Sequence, residues 1–202
     1  MSISLEKGQK VSLTKESGGS LTKVKLGLGW DAVQASGGGG GRGFFKRLAA
    51  AATEKSIDLD ASAVLLDGSG QVLDIVWFSQ LKSKDGSVQH TGDNLTGEGD
   101  GDDESILVDL TAVPAAVQTL AFTVTSYSNQ GFNEVANAFV RVVDETNGSE
   151  FARYELTATG PYSAMVIAKV AREGSGWQMA ALGTTGQGKT VKDVLPLVQQ
   201  TV

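Results

Sequence analysis

Short runs of alternating apolar and polar residues, separated by Gly, Asp, Asn and Ser, extend along almost the whole chain. They cover Leu21–Leu28, Ile57–Leu66, Val72–Phe78, Ile106–Leu110, Leu120–Tyr127, Phe139–Val143, Arg153–Leu156, Ala164–Val170 and Trp177–Leu182. A period of two places successive side chains on opposite faces of a strand. Many short strands with turn chemistry between them predict an all-β fold, an antiparallel β-sandwich of two sheets. Helical signals are few. Thr111–Gln118 predicts one short helix with Pro114 in its first turn, and Lys189–Gln200 a C-terminal helix weakened by an interior Pro196. Between the first two strands lies a Gly/Ala-rich insertion, residues 34–55. Five consecutive glycines there lead into FFKRLAAAATEK, read as a flexible linker and a small helix.

Composition refines this picture in a few places. At 202 residues the chain is expected to form a single domain, 1–202, with one full core. The 26 glycines fit a turn-rich β protein. A net charge of −6 argues against nucleic acid as a partner, because phosphate binding needs clustered Lys and Arg. With no cysteine, disulfides, thiolate zinc sites and thiol redox chemistry are excluded. MSISLEKGQKVSL has no apolar signal core, and no run approaches 18 apolar residues. The expectation is a cytoplasmic protein without a transmembrane segment.

Charge is concentrated in one place. Residues Gly92–Glu104, GDNLTGEGDGDDE, carry six carboxylates, four glycines and no basic residue. Two like charges about 4 Å apart repel by roughly 4 kcal/mol at a surface-like dielectric, so a cation is expected among them. Oxygen-only ligands on a flexible backbone favour calcium, which takes 6–8 oxygens. The loop is not an EF-hand: counted from Asp93, Leu95 stands at position 3, Gly97 at 5 and Glu98 at 6, and only Glu104 at 12 fits. A second acidic group lies in Ile57–Ser62, where Asp58, Asp60 and Ser62 share one strand face. Asp58 and Asp60 stand about 7 Å apart there, a span that one or two cations can bridge. Asp31, closing Leu28–Gly29–Trp30–Asp31, is a third candidate.

Three further features carry less. Gly183–Thr190, GTTGQGKT, matches the phosphate-binding pattern G-x-x-x-x-G-K-[ST], but an antiparallel fold lacks the parallel α/β setting that pattern needs. It reads as a turn into the terminal helix. His90, the single histidine, is expected to bond an acidic side chain and orient the loop. Trp30, Trp77 and Trp177 are expected in the core.

GWD at 29–31, IDLDAS at 57–62, the H-x-GDNLTGEGDGDDE-x-I run at 90–106, NAFVRVVDE and ARYEL together resemble the TerD-domain family of tellurium-resistance and stress-response proteins. The likeness spans essentially the whole chain. Insertion 34–55 is longer than the usual connector between GWD and IDLDAS, although TerZ-type members carry Gly/Phe-rich sequence there too. The resemblance implies a cytoplasmic, non-enzymatic β-sandwich with two calcium ions. Its implied ligands are Asp31, Asp58, Asp60, Asp93, Asn94, Asp102, Asp103 and Glu104, with backbone carbonyls near Leu95, Gly97 and Gly99. Because direct reduction of tellurite would want thiols or a redox cofactor and the chain has no cysteine, an indirect role is expected, through assembly or signalling with other Ter-family or membrane-associated proteins. The residue types alone leave two alternatives open. One is a hydrolase or phosphotransferase using two cations; the other is a module in which calcium bridges to a glycan or membrane ligand.

Overall fold

The computed structural model describes residues 2–15, 18–32, 58–92, 101–128, 130–156 and 160–202, without the side chains of 31, 32 and 136. The 34–55 insertion and residues 93–100 of the acidic loop lie outside the described residues.

Two six-stranded sheets face each other. The strands are β1 (Ile3–Ser4), β2 (Lys10–Ser12), β3 (Lys23–Ala32), β4 (Leu59–Leu66), β5 (Val72–Val76) and β6 (Val88–His90), followed by β7 (Glu104–Asp109), β8 (Thr119–Ser126), β9 (Val135–Asp144), β10 (Ser149–Glu155), β11 (Ala164–Glu173) and β12 (Gly176–Gly186). Sheet A runs β1-β10-β9-β3-β7-β6 and sheet B runs β2-β12-β11-β8-β4-β5. All pairings are antiparallel except β1 with β10, which is parallel. This is the predicted sandwich.

The alternation on β3 and β4 decides what each face holds. Val24, Leu26, Leu28 and Trp30 of β3 meet Leu59, Ala61, Ala63 and Leu65 of β4 in the inter-sheet core. On β3 that turns Lys25, Gly27 and Gly29 to the outer face of sheet A. On β4 it turns Asp60, Ser62, Val64 and Leu66 to the outer face of sheet B. This second face is covered as well. Val64, Leu66, Ala121 and Val166 pack with Val191 and Val198 in a smaller cluster. The helix α1 (Leu195–Thr201) supplies its lid. Burial on both faces explains why every residue of β4 is buried.

Both helix expectations need correction. Thr111–Gln118 forms turns. Asp109 Oδ1 accepts the Thr111 and Ala112 N–H groups, while Arg172 donates to the carbonyls of Val113, Pro114 and Val117. Those carbonyls are thereby withdrawn from an i to i+4 ladder by a residue far away in sequence. At the C-terminus the α-helix is shorter than Lys189–Gln200. Asp193 Oδ2 accepts the N–H groups of Lys189 and Thr190, holding them in a turn. Pro196 then falls in the first helical turn, where its missing N–H costs nothing.

Candidate metal centre

The acidic positions cluster at one end of the sandwich, where β3 finishes and β4 and β7 begin. Asp60 stands on the outer face of sheet B at 3 % exposure. The β4–β8 register sets Thr125 directly opposite Asp60 and Thr123 opposite Ser62. The outer face therefore changes character along its length. Leu66, Val64 and Ala121 are apolar under α1, and the next two rungs are Ser62–Thr123 and Asp60–Thr125.

Ser62, Thr123 and Thr125 are at most 1 % exposed, and their hydroxyls have no hydrogen-bond partner among the described residues. A buried polar group left unpaired costs roughly 1–3 kcal/mol. Three neighbouring hydroxyls beside a buried aspartate are therefore an oxygen-lined surface that an occupant would stabilise. Asp58 adjoins it, and its backbone carbonyl accepts the Tyr127 N–H at 3.0 Å.

The last three acids of the loop go three ways. Glu104 points inward at 1 % exposure, and its Oε2 accepts the Ala61 N–H of β4 at 2.6 Å. It thus ties sheet A to sheet B beside Asp60. His90 Nε2 stands 3.4 Å from the same oxygen, without hydrogen-bond alignment. His90 Nδ1 accepts the Gly92 N–H at 3.1 Å. An accepting Nδ1 carries no proton, so the ring proton is on Nε2 and faces Glu104. One imidazole therefore touches the first and last residues of Gly92–Glu104, but the hydrogen bond to an acidic side chain expected for His90 is not formed among the described residues.

Asp103 Oδ2 accepts the Trp30 N–H at 2.9 Å, where β3 runs past the end of β7. Asp102 lies on the outer face of sheet A. Lys25 Nζ is 2.9 Å from its Oδ2, and Arg141 Nε donates to Oδ1 at 2.6 Å. Burial raises the Asp102 pKa, but Arg141 and then Lys25 outweigh it and hold the carboxyl below the usual carboxylate range. Asp31 sits in β3 with its backbone paired to Ala136.

The structure therefore brings Asp58, Asp60, Asp102 and Glu104 to one end, with Asp102 on the outer face of sheet A. Asp60 and Asp102 stand on opposite outer faces of a sandwich whose sheets pack about 10 Å apart. Among the described residues, no three carboxylates or imidazoles converge as a metal site. The expected contributors Asp93, Asn94, Leu95, Gly97 and Gly99 lie outside those residues. Sequence reasoning missed Thr123 and Thr125, although the outward threonines of TLAFTVTS were visible. It also missed Lys25 and Arg141.

Other candidate motifs resolve simply. In the phosphate-loop look-alike the N–H groups of Lys189 and Thr190 already hold a carboxylate, that of Asp193. Trp30 and Trp177 lie in the inter-sheet core, whereas Trp77 belongs to the outer cluster beneath the Lys192 ammonium, 4.6 Å from its ring centre. No helix among the described residues is long and apolar enough to cross a membrane.

Residues 1–195 match the TerD domain model. The chain belongs to the TerD-domain family. The tellurium resistance protein TerZ of Serratia marcescens is 48% identical over 192 residues, covering 95% of this chain and 94% of that protein. The stress response protein SCP2 of Bacillus subtilis is 41% identical, covering 96% of this chain and 98% of its own length. The crystal structure of a homologue of the telluride resistance protein TerD from Streptomyces coelicolor aligns with a TM-score of 0.65 at 17% identity. That alignment covers 87% of this chain and 96% of the other. It supports the TerD-family fold, and the close relatives place this chain among tellurium-resistance and stress-response proteins.

Proposed function

We propose that this TerD-family chain is a cytoplasmic, non-enzymatic calcium-binding module, holding two calcium ions between the Gly92–Glu104 loop and the Asp58–Asp60 strand. The observation that carries this reading is the outer face of β4 and β8. A buried aspartate there is bordered by three buried hydroxyls that have no hydrogen-bond partner among the described residues. The donor set is oxygen alone, with neither thiolate nor an available imidazole. That chemistry suits a hard cation, and the number of donors suits calcium better than magnesium.

Asp58, Asp60, Asp93, Asn94 and the carbonyls near Leu95, Gly97 and Gly99 would hold the ions, with Asp31, Asp103 and Glu104 at the border. Glu104 joins the loop to the strand through the Ala61 N–H, so ion binding at the loop would also tighten the two sheets. The module would act indirectly, by assembly or signalling with Ter-family or membrane-associated partners. Direct reduction of tellurite would call for thiols or a redox cofactor, and the chain has no cysteine.

Thermal unfolding in EDTA, calcium and magnesium tests the proposal. Calcium is expected to raise Tm, magnesium to do so less, and Asp60→Asn to abolish most of the difference. An equal Tm in EDTA and in millimolar calcium would refute it.

A further inference from the structure

Gly27 and Gly29 are the two smallest residues of the β3 outer face, and the end of the acidic loop lies on them. A Cβ on Gly27 would run into the Asp102 carboxylate, and one on Gly29 would come within 2.6 Å of the Gly101 carbonyl oxygen. The sequence KVKLGLGW thus buries Val24, Leu26, Leu28 and Trp30 while leaving a bare strip on the opposite side. Above this strip the Asp102 side chain is 6 % exposed, between the Lys25 and Arg141 cations. Arg141 also reaches Glu150 at 3.5 Å, which fixes its guanidinium from the far side. The adjoining backbone is pinned as well, since the Asp103 N–H donates to the Leu28 carbonyl at 2.8 Å.

We propose that Asp102 is the anchor of the acidic loop and not one of its metal ligands. Its carboxylate docks in the Gly27–Gly29 cradle between Lys25 and Arg141 and fixes where the loop rejoins β7. The energetics favour this assignment. A carboxylate already neutralised by two cations has little to gain from a third, and coordination would leave Lys25 and Arg141 unpaired beside a divalent ion. The location agrees, because Asp102 and Asp60 occupy opposite outer faces. As a positioning residue, Asp102 would act on bound metal only through the conformation of the loop that follows from its anchorage.

This assignment rests on the calcium reading for one of its two readouts, and the test separates them. Calcium titration calorimetry on Asp102→Asn, Arg141→Gln and the double variant gives affinity and the number of ions bound. An anchor predicts that each single change weakens binding by roughly tenfold, as loss of an outer-shell partner does, with the number of ions unchanged. The double variant should be no weaker than the singles, and Gly27→Ala should reproduce the loss without altering any charge. If Asp102 were a ligand, Asp102→Asn would remove an ion, while Arg141→Gln would tighten binding by removing a competing cation. Either result overturns the proposal, as does unchanged affinity in all variants.

If the wild-type chain binds no calcium, the calcium reading fails alone. The anchor is then judged by metal-free thermal unfolding. There Asp102→Asn and Arg141→Gln should each lower Tm and be non-additive, and additive shifts would overturn it.

Discussion

Two buried aspartates, Asp144 and Asp60, stand at opposite ends of the sandwich in contrasting surroundings. Asp144 closes β9. Its Oδ1 accepts the Thr146 N–H and hydroxyl, and its Oδ2 takes Asn147 Nδ2 and the Lys15 ammonium, 3.3 Å away. The chain itself answers every demand of that carboxylate. Beside Asp60 stand Ser62, Thr123 and Thr125, whose buried hydroxyls find no partner among the described residues. A folded chain tolerates such an arrangement where something else completes it. Asp144 serves the fold, and the hydroxyls beside Asp60 are what the proposed calcium site would complete.

The largest way to sharpen this contrast is to supply the ion. Calcium at about 100 times its Kd stabilises by roughly 2.7 kcal/mol per site, so two sites should raise Tm by on the order of 10–20 °C for a chain of this size. A calcium titration followed by circular dichroism checks this. Asp144→Ala should behave in the opposite manner, lowering Tm by roughly 5–10 °C with or without calcium, through loss of charge-assisted hydrogen bonds worth about 2–3 kcal/mol. A calcium-dependent effect of Asp144→Ala would erase the distinction between the two ends.

Acid gives a smaller effect. Burial raises the pKa of Asp144, but the Thr146 hydrogen bonds and Lys15 outweigh it, and the group lies below the ordinary carboxylate value. At Asp74 burial is likewise outweighed, by the Lys84 N–H, Gln80 and Ile75. Because these folded values lie below the unfolded value of about 3.9, their stabilisation is present above that pH and lost as pH falls through the folded values. Tm measured in EDTA should therefore decline below about pH 4, and Asp144→Asn should flatten that decline. The smallest effect is at Thr125. Thr125→Val removes an unpaired hydroxyl, so the metal-free protein should be unchanged or stabilised by up to about 1 kcal/mol. Its calcium-dependent shift in Tm should shrink.

Much of the sandwich was legible because inward-facing residues such as Val24, Leu26 and Leu28 alternate with outward ones. The two-residue β1 and three-residue β2 were not, being too short to carry a period. The Thr111–Gln118 segment misled because its fate is decided by Arg172, which no local window contains. The acidic end was legible as a concentration of charge, yet its partition was hidden. Asp102, Asp103 and Glu104 are adjacent in sequence, but they meet an Arg–Lys pair, a strand N–H and the opposite sheet respectively. Only the pairing of β3 with β7 and β9, and the packing of β4 against them, separates them. Turn-forming aspartates add to the difficulty. Asp67, Asp85, Asp109 and Asp193 all accept hydrogen bonds within their own turns, and nothing in residue type distinguishes them from metal ligands.

A crystal structure grown in millimolar calcium tests the central assignment most directly. The expected result is an ion with 6–8 oxygen ligands at about 2.3–2.6 Å, at least one of them from Asp58 or Asp60, beside the Ser62, Thr123 and Thr125 hydroxyls. Calcium held elsewhere on the chain, or no ion at this end while Asp58 and Asp60 are well ordered, would contradict it.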